Sequence, residues 1–131
     1  MYDKSQNRAS IALRSSAEQL RNGDSVAIAR RAQAFIEDEY RNPIQLKDLC
    51  TYSGVGTRTL QRYFAAHFQM SPSEYINTLR LNETRRALVN ADPSVSTVTR
   101  IATSNGFSHL GRFSVAYRTR FGESPSETLG A

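Results

Sequence analysis

Cysteine is the scarcest chemistry in this chain of 131 residues, present once, as Cys50. One thiol excludes an internal disulfide framework and a multi-cysteine zinc site, and it points to a reducing, cytoplasmic setting. Histidine is nearly as scarce. His67 and His109 sit in basic surroundings without a nucleophile, base and orienting group in view, so no enzyme activity, no metal and no cofactor are expected. Long apolar runs are missing as well. Nothing approaches the roughly 20 apolar residues of a membrane span, and the opening stretch MYDKSQNRASIALRSS lacks the apolar core of a secretory signal. Finally, no segment alternates apolar and polar residues over the length of a strand, which leaves helices as the regular element and predicts an all-α fold.

What is present is a moderate apolar content of 39%, a charged fraction of 22% and a net charge of +5. The first two fit a folded soluble protein, and the length fits one ordinary domain or two very small ones sharing a core. Of the 17 basic residues only Lys4 and Lys47 are lysine; the rest are arginine, whose planar fork suits phosphate and guanine edges. Between Ser53 and Gly122 the arginines are opposed only by Glu74, Glu83 and Asp92, so the excess of positive charge gathers there. A polyanionic partner follows from that imbalance.

Read along the chain, residues 1–24, closing on RNGDS, are polar and punctuated, and are expected to form a linker or tail. Val26, Ile28, Ala29, Ala32, Phe35 and Ile36 then recur at helical steps until Pro43 interrupts them. Further helices are predicted over residues 45–53, 57–68, 72–90, 97–105 and 110–121, with a last turn from Pro125. The organisation expected from these is a first subdomain over 25–71, a linker helix over 72–91 and a second subdomain over 92–131.

The tetrapeptide Ser-Pro-Ser-Glu occurs twice, at Ser71–Glu74 and Ser124–Glu127, 53 residues apart. Serine as a cap, proline at the first helical position and glutamate three residues after the serine make a helix start with a capping box. The same offset aligns Leu60 with Phe113, Phe64 with Tyr117 and Phe68 with Phe121, each set a stripe at four-residue steps. Upstream the offset is 52, aligning Leu49 with Ile101, Cys50 with Ala102 and Gly54 with Gly106. The unit of short helix, glycine turn, second helix and capped helix is therefore used twice, and its first part is a helix-turn-helix. Within it Cys50 reads as a small buried hydrophobe.

If Leu60, Phe64 and Phe68 face inward, the opposite face of their helix carries Thr57, Arg58, Gln61 and Arg62. Arginine and glutamine hydrogen-bond guanine and adenine edges, and the first half of a recognition helix is where such residues must lie. In the second copy the outward face carries His109, Gly111, Arg112, Ser114 and Val115, poorer in base-reading groups.

The stretches LCTYSGVGTRTLQRYFAAHFQMSPSEYI, RLNETRRAL and IATSNGFSHLGRFSVAYRTRFGESPSETL resemble the AraC/XylS family of bacterial transcription regulators, over roughly residues 27–129. The resemblance implies two helix-turn-helix subdomains joined by a linker helix, entering successive major-groove segments of double-stranded promoter DNA. It places Arg58, Gln61 and Arg62 on the first contact face and His109, Gly111, Arg112 and Val115 on the second. It further implies activation through RNA polymerase, and an effector-sensing domain that many relatives carry and that is not found in this chain. A linker over 72–90 would be roughly 27–28 Å long. The competing reading is an all-α adaptor whose arginine face docks an acidic protein; Gln61 beside Arg62 argues for DNA, since an amide adds little against acid and much against adenine.

Overall fold

A computed structural model describes the backbone of residues 11–130 and the side chains from Asp24 onward. Seven α-helices follow in order: α1 (Ile11–Glu39), α2 (Leu46–Ser53), α3 (Thr57–Phe68), α4 (Pro72–Asn90), α5 (Val98–Ser104), α6 (Leu110–Phe121) and α7 (Pro125–Leu129). There is no strand among the described residues, and the fold is all-α: two helix-turn-helix subdomains connected through α4. The predicted spans agree with α2 to α7 within a residue or so. The start of α1 does not: it begins at Ile11 and runs through Gly23 and Asp24, where a linker is expected. A single glycine inside a long helix costs only about 1 kcal/mol, too little to break it. The expected tail over residues 1–10 lies outside the described residues.

The chain forms two compact units. Among the described residues the first contains α1 up to Phe35 together with Gln45–Pro72, and the second contains Ile36–Ile44 and the chain from Ser73 to Gly130. In the first unit Ala29, Ala32, Leu49, Leu60 and Phe64 are buried, and the Phe35 and Tyr52 rings meet at 5.1 Å. His67 in the last turn of α3 shares a 2.9 Å hydrogen bond with the buried hydroxyl of Ser25, tying α3 to α1. It is thus a part of the unit's frame rather than the plain surface residue its position suggests.

The second unit is centred on Leu81 and Leu88 of α4, Ile101 and Ala102 of α5, Phe113 and Tyr117 of α6, and Leu129 of α7. Rings run through it in sequence: Phe107 to Phe113 at 4.7 Å, Phe113 to Tyr117 at 5.6 Å, and Tyr117 to Phe121 at 4.7 Å. Each such buried ring contributes about 1.5–3 kcal/mol of transfer free energy. The Tyr117 hydroxyl donates to Thr128 Oγ1 at 2.7 Å, so its polar end is satisfied inside the core.

The repetition seen in sequence is carried into the coordinates. Helices α3 and α6 are both 12 residues long and begin 53 positions apart. In each the first two residues of the aromatic stripe are buried and the third is half-buried. The Phe64–Phe68 ring pair, at 4.6 Å and 53°, is matched by Tyr117–Phe121 at 4.7 Å and 57°. Both helices close on a left-handed residue, Gln69 with φ 56° and Gly122 with φ 78°. The second capping box forms as expected: Ser124 Oγ accepts from the Glu127 N–H at 3.1 Å, and the Ser124 N–H donates to Glu127 Oε1 at 2.7 Å.

The glycine turns share a positive φ but differ in their surroundings. Gly54, φ 78°, has open space where a Cβ would stand. A Cβ on Gly106, φ 101°, would stand 2.4 Å from the Tyr40 carbonyl oxygen and 2.5 Å from Arg80 Nε. Arg80 itself donates to the carbonyls of Tyr40 (2.8 Å) and Asn42 (2.9 Å), so this guanidinium from α4 binds the end of α1 beneath the second turn. Burial without a counter-charge pushes the Arg80 pKa down.

Candidate nucleic-acid interface

Helix α3 buries Leu60 and Phe64, and helical geometry then forces the residues between them outward. Thr57, Arg58, Gln61 and Arg62 are all exposed. The Thr57 hydroxyl lies 3.6 Å from Cys50 Sγ, which fastens the first turn of α3 to α2. Cys50 is only half-buried, not the enclosed hydrophobe expected, because the turn leaves one side of it open beside Thr57. The Arg62 guanidinium lies 5.5 Å from the centroid of the Tyr63 ring, a contact that orients it without consuming its donors.

Helix α6 repeats this with Phe113 and Tyr117 inward, and His109, Gly111, Arg112, Ser114 and Val115 are exposed. Val115 is 69% exposed in the middle of the helix. Its carbonyl accepts from the Thr119 hydroxyl at 2.8 Å. The structure thus brings Thr57, Arg58, Gln61 and Arg62 together on one helix face, and His109, Gly111, Arg112 and Val115 on another.

Partners divide the arginines into two groups. Arg80 is spent on backbone carbonyls, Arg86 pairs with Glu83 at 2.6 Å, and Arg120 donates to Asn82 Oδ1 at 3.0 Å. Arg85 lies over the Phe121 ring at 5.2 Å, and Arg118 stands 4.0 Å from Glu127. Asp92, just past α4, accepts from the Ser94 hydroxyl and N–H at 2.7 and 2.9 Å, which hold its carboxyl below the usual range. Arg30, Arg31, Arg41, Arg58, Arg62, Arg100 and Arg112, all exposed, have neither a side-chain hydrogen bond nor a carboxylate partner among the described residues. Arg58, Arg62 and Arg112 lie on the two faces singled out from sequence, Arg30, Arg31 and Arg41 on or just past α1, and Arg100 on α5.

Helix caps divide the same way. Asp48, Thr97 and Ser124 each engage the start of a scaffold helix, at α2, α5 and α7. The residues at the starts of α3 and α6, Gly56 and His109, provide no side-chain cap. The positive end of the helix dipole at these uncapped starts favours an anion.

Sequence reasoning did not single out Arg100, or Asn77 and Ser108, which join His109 and Arg112 around a depression of about 380 Å³ at the start of α6. Ser108 next to His109 and Asn77 three residues before Arg80 are signals that helical spacing could have supplied. No three His, Cys, Asp or Glu side chains among the described residues gather as a metal would require, and no helix is long and apolar enough to cross a membrane.

Comparison with known proteins adds a consistent set of likenesses. A family model described as a helix-turn-helix domain matches residues 49–131. The XylDLEGF operon transcriptional activator 2 of Pseudomonas putida is 36% identical over 99 residues, covering 76% of this chain and 63% of that protein. The XylDLEGF operon transcriptional activator of the same organism is 37% identical over 99 residues, but the chain spans only 31% of its length. Among solved structures, "a probable AraC family transcriptional regulator" from Rhodopseudomonas palustris superposes with a TM-score of 0.71 at 34% identity, over 79% of this chain and 95% of that one.

Proposed function

The chain belongs to the AraC family of helix-turn-helix transcription regulators, and from that premise we propose that it reads promoter DNA with α3 and α6 and activates transcription. In this reading Arg58, Gln61 and Arg62 address base edges from the first unit, and His109, Gly111, Arg112 and Val115 lie against bases from the second. The uncapped starts of α3 and α6 receive backbone phosphates. Two half-sites one helical turn apart are bound on double-stranded DNA in the cytoplasm, and RNA polymerase is the partner recruited. Residues 25–71 and 92–131 act as the two reading subdomains, with 72–91 as the linker.

The observation that carries the reading is the set of exposed, unpaired arginines on the outward faces of α3 and α6. Arg58, Arg62 and Arg112 keep free forks on the exposed faces of α3 and α6, whereas Arg118 and Arg120 near the end of α6 turn to Glu127 and Asn82. A free fork beside an amide such as Gln61 matches bidentate base recognition. The test is a mobility-shift titration across salt concentrations, with sites selected from random duplexes. Affinity for a selected site should fall steeply with salt as counterions are released. Absence of binding to any duplex at low salt would point instead to docking on an acidic protein.

A further inference from the structure

The two reading faces are built from different chemistry, and resting on the DNA-binding reading above, we infer that α6 recognises the 5-methyl group of thymine through an apolar stripe centred on Val115. The stripe runs Gly111, Val115, Thr119 at four-residue steps, and all three residues are exposed. It offers no free side-chain donor, because the Thr119 hydroxyl donates its proton to the Val115 carbonyl. Its counterpart in the first unit, at an offset of 53, begins with Arg58 and Arg62. One helix therefore presents donors where the other presents hydrocarbon.

Neither apolar position has a reason inside the fold. Gly111 is not in a left-handed conformation, and a Cβ added there would meet nothing within 4 Å. Glycine is among the poorest helix formers, so the fold alone would prefer alanine. Val115, 69% exposed, is β-branched in mid-helix, again against local preference, and touches no core. What both positions provide is a shallow, rigid surface. Gly111 lets a second body approach the helix axis closely, and Val115 places two methyl groups on a side chain with little rotamer freedom to lose. In a major groove the matching feature is the thymine methyl, the one apolar mark among the base-pair edges. Arg112, beside the stripe, supplies the charge that holds the helix to the duplex. The two half-sites then differ in kind, and the chain binds in a single orientation.

The test uses the full chain and a duplex selected from random sequences. Arg62→Ala identifies the half-site read by α3, so the other half belongs to α6. Each thymine of that half is replaced in turn by deoxyuridine, which removes only the methyl. At one thymine the wild type should lose about fourfold in affinity, the worth of one buried methyl group, and Val115→Ala should lose nothing further there. Equal losses in both proteins at every thymine, or a half-site without thymine, would overturn the inference. Gly111→Ala provides a second readout: the urea midpoint should rise while affinity falls at least threefold, and an unchanged or improved affinity would equally overturn it. Selective binding without methyl sensitivity removes this inference alone; no binding to any duplex removes the DNA-binding reading with it.

Discussion

Alanine placed at Gly54 and at Gly106 should separate backbone strain from steric exclusion. Both glycines have positive φ, 78° and 101°, so each substitution carries a left-handed penalty of about 1–2 kcal/mol. At Gly54 nothing further is lost, since the new Cβ meets open space. At Gly106 the Cβ would come within 2.4 Å of a backbone oxygen and 2.5 Å of Arg80 Nε, and neither can be ignored. If Arg80 withdraws, its bonds to the Tyr40 and Asn42 carbonyls go with it. Charge-assisted bonds of this kind contribute about 1.5–3 kcal/mol when buried, and about 1 kcal/mol each is a fair discount for a half-buried guanidinium. Gly106→Ala should therefore cost about 3–4 kcal/mol against about 1–2 kcal/mol for Gly54→Ala. Urea denaturation followed by the helical circular-dichroism signal measures both. A double-mutant cycle with Arg80→Ala should show the two changes to be coupled, since they share a contact. Equal costs for the two alanines, or strict additivity with Arg80→Ala, would refute the role given to Arg80.

Three other outcomes follow from local features. Gln69 ends α3 in a left-handed conformation that its counterpart Gly122 adopts freely, so Gln69→Gly should stabilise the first unit by about 0.5–1 kcal/mol in the same denaturation assay. The Glu127 carboxyl is held below the usual range by the Ser124 backbone N–H and then the Ser124 hydroxyl. The stabilisation it gives α7 is therefore complete above the ordinary carboxylate pKa and is lost as pH falls through the lowered one. Glu127→Gln should flatten that acid limb of the stability curve, and an unaltered curve would show that the cap carries no linkage. Arg62→Ala should weaken binding to a selected site by about 1–3 kcal/mol and relax one base position; equal loss on random duplexes would reduce Arg62 to a phosphate contact.

Most of the helical layout was legible because each element carries its own signal. Leu60, Phe64 and Phe68 repeat as Phe113, Tyr117 and Phe121, and a four-residue stripe of that kind determines which face is outward. The candidate faces followed directly, and all nine residues named for them are exposed. What escaped was non-local. Ser25 with His67, Arg80 with Tyr40 and Arg120 with Asn82 are contacts between residues 38 to 42 positions apart. No local periodicity encodes such pairs. The extent of α1 escaped for the opposite reason: Gly23 and Asp24 are genuine local warnings, but their penalties are small beside the cooperativity of a 29-residue helix.

The assignment of Ile36–Ile44 to the second unit bears on how the protein is made and how it can be cut. The polypeptide supplies this short piece of the second unit, leaves to build α2 and α3, and returns with α4. During synthesis those nine residues emerge well ahead of the arginine that will grip them, so the second unit must await a guest delivered early. A fragment beginning at Ser73 would retain α4 to α7 yet strip Arg80 of both its carbonyl acceptors and leave the Gly106 turn unsupported. Severing the chain between its two reading helices should thus cripple the downstream half, even though every residue of that half's own helix-turn-helix is retained.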